Sequence, residues 1–220
     1  MATEKEMQEF YASSQAYLNQ LKKHSLKEYS KYLKKIIENI KPKKKILDIG
    51  SGTGQISNFL QSKSFKVTGI DISPLFIKES KNQARKNNLE TRFLVMNSCK
   101  LKFPNESFDA VISAETLEHI LHPERMLKEI FRVLKKSGIL VLRFPNKQSP
   151  LVNFAIRLNK KTRFEIVKPN LSSQVKGDDQ DLCHRAATSD VLIFLKRSGF
   201  KILHSKPIFW PSALIVAKKT

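Results

Sequence analysis

Residues 45–54 read Lys45-Ile46-Leu47-Asp48-Ile49-Gly50-Ser51-Gly52-Thr53-Gly54. The apolar run Ile46-Leu47 and Ile49 suits a short strand covered on both faces, as in a parallel sheet. It runs directly into glycines at every second position, where side chains would block the close approach of backbone to a ligand. A helix is expected to follow over 54–62. A second strand, Lys66-Val67-Thr68-Gly69-Ile70, ends at Asp71. That acid lies about 20 residues beyond the glycines, the separation at which a carboxylate accepts hydrogen bonds from ribose hydroxyls. Phosphate-gripping versions of such a turn do not fit. The GxGxxG pattern needs glycine at position 55, which is Gln55, and a GK[ST] ending is absent from the turn.

The pattern extends in both directions. Upstream, residues 1–41 read as helical, with Tyr17, Leu21, Tyr29, Leu33, Ile36, Ile37 and Ile40 at helix-like spacing, and Pro42 with Lys43-Lys44-Lys45 ends the segment. Downstream, Ser73-Pro74 is a serine cap followed by proline at the first helical position, opening a helix to Asn88. Strands follow at 92–96 and 108–113, then a helix over 123–136 stopped at Ser137-Gly138, then a strand over 139–144. Residues 145–187 read as a long irregular insertion with a short helix at 150–158, too long for an ordinary connection. A helix at 188–198 stops at Gly199, and strands near 200–205 and 212–218 close the chain. The Pro207–Pro211 connection is too short for a parallel crossover, so the last pair is expected to be antiparallel. Alternating strands and helices predict one α/β domain over 1–220: a Rossmann-like, seven-stranded, mostly parallel sheet with an antiparallel last strand and helices on both faces. Residues 1–42 form a helical cap and 145–187 a substrate-side insertion.

The stretches ILDIGSGTGQ (46–55), VTGIDIS (67–73), FDAVISAETLEHI (108–120) and EIFRVLKKSGILVLRFPN (129–146) resemble the four landmarks of class I S-adenosylmethionine-dependent methyltransferases, in the right order and spacing. The resemblance spans about residues 44–146 and extends most closely to the ubiquinone-pathway O-methyltransferase-like group. It implies S-adenosylmethionine as cofactor, with Gly50, Ser51 and Gly52 at the methionine part, Asp48 shaping the turn, Asp71 on the ribose and Ile72 against adenine. Asn97 and Ser98 stand where an aspartate usually reads the adenine amino group; the Asn97 carbonyl accepts equally well. Ser113 and Ala114 are expected to line the donor pocket.

The chemistry is expected at the end of the fourth strand. His119 is the natural general base, since imidazole titrates near neutral pH, with Glu118 beside it. Glu115, Glu118 and His119 fall at i, i+3 and i+4, one face of a helical turn. With His184 they make a candidate set for a divalent cation such as Mg²⁺. This ExxEH spacing also resembles that of small-RNA 2′-O-methyltransferases, where a metal binds the acceptor hydroxyls. The plainer reading leaves Glu115 and Glu118 solvated or capping backbone.

Composition sets the remaining limits. Forty Lys and Arg against twenty Asp and Glu give a net charge of +20, which reflects a lysine-rich proteome or binding to phosphate backbones or anionic lipid. No apolar run reaches the roughly 18 residues of a membrane span. The polar N-terminus is unlike a signal peptide, and Cys99 and Cys183 form no CxxC pair, which fits a reduced cytoplasmic setting. The expected acceptor is a small molecule, a phenolic or quinone precursor, lipid-linked or sugar hydroxyl. RNA is the alternative, disfavoured because aromatic residues are not set among the basic ones as a stacking surface. The basic run Arg157, Lys160, Lys161, Arg163 and Lys168 suggests an anionic substrate or peripheral contact with an anionic membrane. A non-catalytic binding protein on the same scaffold is the reading from another class, and nothing in the sequence decides the oligomeric state.

Overall fold

A computed structural model describes residues 9–11, 15–23, 25–120, 122–145, 188–206 and 212–220. Its strands are β1 (Lys45–Ile49), β2 (Lys66–Asp71), β3 (Arg92–Val95), β4 (Phe108–Ala114), β5 (Leu134–Pro145), β6 (Phe200–Ser205) and β7 (Ser212–Lys219). They form one seven-stranded sheet in the order β3-β2-β1-β4-β5-β7-β6. β1 pairs in parallel with β2 and β4, β2 with β3, and β4 with β5. β7 runs antiparallel to both β5 and β6, as the short last connection requires.

The helices are α1 (Gln15–Lys23), α2 (Ser30–Asn39), α3 (Gln55–Ser62), α4 (Pro74–Lys86), α5 (Pro123–Val133) and α6 (Thr188–Arg197). Alternate strand residues face opposite layers. Ile46, Val67, Ile112, Val141 and Val216 pack with Leu33 and Ile36 of α2 and Leu60 of α3. Leu47, Ile70, Val111, Leu142 and Ile215 pack with Met126 and Ile130 of α5 and Val191 and Leu195 of α6. Burial on both faces explains why the strands read as apolar runs rather than alternating ones. Among the described residues, no helix is long and apolar enough to cross a membrane.

Three local expectations change. The N-terminal segment is not one helix: Ser25 is extended and caps a short 3₁₀ turn (Leu26–Tyr29), its hydroxyl accepting from Lys27 N while Glu28 reaches back to Ser25 N. Helix α5 ends at Val133, not 136, because Leu134 is already extended and pairs with Phe108. Gly138 is therefore not a helix stop but part of a bulge in β5. Ser137 there takes φ +61, and a Cβ on Gly138 would lie 2.8 Å from Lys135 O. The expected helix at 150–158, the basic run 157–168 and the rest of the insertion lie outside the described residues. The cap at Ser73, with its hydroxyl accepting from Phe76 N, and the stop at Gly199, with φ +88, are as expected.

Candidate active site

The glycine turn after β1 is pinned beneath β2, Gly50 N and Ser51 N both donating to Ile70 O at 2.9 Å. Gly50 has φ +71, and a Cβ there would collide with the Thr116 side chain. Thr116 is fixed by donation from its hydroxyl to Ala114 O at 3.1 Å, so glycine is needed for packing as well as for φ. At Gly52, with φ +52, a Cβ would meet only Leu21 Cδ1 at 3.6 Å. The protein thus leaves that side of the turn open to a ligand.

Behind the turn lies Asp48, 3% exposed, whose Oδ2 accepts from Ser57 Oγ at 2.6 Å. Burial pushes its pKa up to about 7, the Ser57 hydrogen bond pulling down and the Asp71 charge adding to the rise. Asp48 does not line the cavity; it supports the turn from below. Asp71 does line it, with Oδ2 accepting from Gly52 N at 3.0 Å and Oδ1 from Ser73 N at 2.9 Å. Burial raises the Asp71 pKa, partly offset by the hydrogen bonds from Ser73, Gly52 and Ile72 and by the charge of His119.

The cavity at the carboxyl ends of β1, β2 and β4 is about 350 Å³. Gly50, Ser51, Gly52, Asp71, Ile72, Asn97, Ser98 and Ala114 all line it. Two details differ from expectation. Asn97 Oδ1 already accepts from Cys99 N at 2.8 Å, so an amino group reaching that oxygen would share it with the backbone. Ser113 is buried beneath the pocket and donates to Ile49 O at 3.0 Å instead of lining it.

The metal set does not assemble. Glu115 has φ +50, and only Leu117–His119 form a helical turn, so Glu115, Glu118 and His119 share no helical face. The Glu115 carboxylate pairs with Arg143 at 2.5 Å, and its N–H donates to Arg143 O at 2.9 Å. Among the described residues no three His, Cys, Asp or Glu are grouped to hold a metal ion, and His184 lies outside those residues. Glu118 and His119 do line the cavity, Glu118 1% exposed with Oε1 3.8 Å from His119 Nε2.

Tyr11, Leu21, Tyr29 and Thr116 are among the lining residues that sequence reasoning missed. Tyr11 meets the His119 ring edge-on, centroids 6.0 Å apart, and its carbonyl accepts from Ser73 Oγ at 2.6 Å. Leu21 O accepts from Gln55 Nε2 at 3.4 Å. The N-terminal segment thus forms a wall of the cavity. Leu21 and Tyr29 were visible only as apolar periodicity, which does not distinguish core from pocket.

The residues present fit S-adenosylmethionine. The turn has room on its ligand side, an acid stands at the end of β2, and the volume falls in the range of about 300–1,000 Å³ usual for small-molecule sites. Residues 47–142 match the family model described as a methyltransferase domain. The Bartonella quintana ubiquinone/menaquinone biosynthesis C-methyltransferase UbiE is 37% identical over 115 residues, 50% of this chain and 44% of the relative. A ubiquinone biosynthesis O-methyltransferase of Pelagibacter ubique is 36% identical over 124 residues, 56% of this chain and 51% of the relative. The chain therefore spans about half the length of these relatives. The solved structure of a SAM-dependent methyltransferase from Methanosarcina mazei superposes with TM-score 0.63 at 26% identity, covering 84% of this chain and 96% of that one.

Proposed function

We propose that this chain is a class I S-adenosylmethionine-dependent methyltransferase and that it transfers a methyl group to a small aromatic acceptor bearing a hydroxyl. The observation that carries the reading is the convergence of the open glycine turn, Asp71 and His119 on one cavity. Gly50, Ser51 and Gly52 would hold the methionine part, Asp71 the ribose, Ile72 and Asn97 the adenine. When bound, S-adenosylmethionine supplies an electrophilic methyl group on a sulfonium.

The chain's own contribution is positioning and proton removal. His119, held against Tyr11 and beside buried Glu118, accepts the hydroxyl proton of the acceptor, a role worth roughly 10²–10⁴-fold where a base is well placed. Loss of that proton spreads negative charge over the phenolic oxygen and the adjacent ring carbons. One site can therefore serve methylation at oxygen or at carbon, which accords with relatives named for each. Apolar lining by Ile49, Ile72, Phe76 and Ile120 limits water in the cavity that holds donor and acceptor.

Calorimetric titration with S-adenosylmethionine tests the donor site. Asp71→Asn should lose most binding, because the amide's NH₂ would face either the Gly52 or the Ser73 N–H donor. His119→Gln should keep binding and lose turnover on a catechol panel by about 100-fold or more. An Asp71→Asn protein that binds like wild type would sink the assignment.

A further inference from the structure

We infer that a second cavity, formed by Lys31, Arg143 and Lys206, seats a carboxylate group of the methyl acceptor. This rests on the methyltransferase reading above and narrows its substrate class.

The cavity is about 170 Å³ and lies between the start of α2, β5 and the β6–β7 edge. That is below the roughly 300 Å³ at which whole small-molecule sites begin, so it suits one polar group rather than an entire acceptor. Its lining places three cations, Lys31, Arg143 and Lys206, against one carboxylate, Glu28, with the Ser30 and Ser212 side chains beside them. Glu28 is committed elsewhere: its Oε1 accepts from Ser25 N at 3.0 Å in the capping box. Burial lowers the pKa of Lys206, and the charges of Lys31 and Arg143 lower it further, which marks a locally positive potential. Counting Glu115 as well, because it pairs with Arg143, the group still keeps a net charge of +1.

Position identifies what such a site would serve. Arg143 forms the partition between the two cavities. Its guanidinium lies 4.8 Å from the centroid of the Tyr29 ring and pairs with Glu115, and both Tyr29 and Glu115 line the donor cavity. An acceptor anchored by its anionic end against Lys31 and Lys206 can extend its ring across that partition toward His119. Charge-assisted hydrogen bonds from lysine and arginine supply the selectivity.

The test uses the full chain and three probes: benzoate, its uncharged counterpart benzamide, and inorganic phosphate. Titrations are followed by the backbone amide resonances of Lys31, Lys206 and Ser212. Benzoate should shift these amides saturably, about tenfold more tightly than benzamide, and the difference should vanish in Lys31→Gln/Lys206→Gln and weaken in Lys206→Gln alone. Benzoate binding unchanged in the double variant, or shifts that never saturate, would overturn the inference. Binding of phosphate without benzoate would make this a free-anion site and overturn its assignment to the acceptor. S-adenosylmethionine affinity, measured on the same proteins, separates the two readings. A wild type that fails to bind it but still binds benzoate defeats the methyltransferase reading. A wild type that binds it but not benzoate defeats the anion subsite.

Discussion

Asp48 is a carboxyl group 3% exposed beneath the turn that faces the ligand, and burial holds its pKa near 7 against an ordinary value of 3.8. Between those two pH values the folded protein keeps a proton that the unfolded chain has released. Stability therefore falls as pH rises through this window and levels off above it. Asp48→Asn keeps an acceptor for Ser57 Oγ but cannot ionise. Between pH 5 and pH 8 the wild type should lose about 2–3 kcal/mol more than the variant, at about 1.4 kcal/mol per pH unit up to the folded pKa. Urea midpoints at the two pH values measure this, and parallel losses would show that Asp48 titrates normally. Residue-level legibility divides along the same lines. Gly50, Gly52 and Asp71 were readable because left-handed backbone and a spaced acid are properties of residue type. Thr116, which covers Gly50, is 66 positions away and carries no local mark. Glu115 has left-handed φ without being glycine or asparagine, and that one dihedral separates it from the face its spacing implied.

Among the elements, α1 and the residues just before it are tied to the pocket rather than to the core. Tyr11 and Leu18 pack with Phe76 in a small cluster of their own, and Leu21 lies over the Gly52 turn. Among the described residues, neither main core cluster contains one before Leu26. Removing residues 1–24 should therefore leave a cooperatively folding sheet while weakening S-adenosylmethionine binding about tenfold or more, the loss expected when one wall of a small-molecule site is opened to water. Calorimetry with urea unfolding of the same truncated chain checks both halves; unfolding of the sheet would show the segment to be core. The strand order was readable from alternation and from the short last connection. The break at Ser25 was also available, since Ser25-Leu26-Lys27-Glu28 is a capping-box pattern, but helix-like spacing of apolar residues continues across it and hides the stop. At α5 the reverse occurs. Lys136-Ser137-Gly138 has the composition of a helix end, yet pairing of Leu134 with Phe108 ends the helix first. Tertiary pairing outweighs a local stop signal worth about 1 kcal/mol.

On the scale of the whole molecule, the net charge is +20. The carboxyl ends of the parallel strands carry the ligand cavity. The opposite edge gathers Lys44, Lys45 and Lys135 around Asp109, which accepts from Lys45 N at 2.8 Å and pairs with Lys135 at 2.9 Å and Lys44 at 3.6 Å. Partial burial alone would raise the Asp109 pKa, but the Lys45 hydrogen bond and the two lysine charges hold it below the usual carboxylate range. A chain this far from neutrality repels itself when compact, and salt relieves the repulsion. Wild-type thermal stability should therefore rise between about 20 mM and about 300 mM salt, as the screening length shortens to a few ångströms. Asp109→Asn retains an acceptor for Lys45 N but exposes the two ammonium groups to each other. It should cost about 1 kcal/mol at low salt and markedly less at high salt, as expected for a surface charge network. A cost that does not change with salt would mean that Asp109 acts through its hydrogen bond to the first residue of β1, and that the basic edge of the sheet is held by backbone geometry rather than by charge.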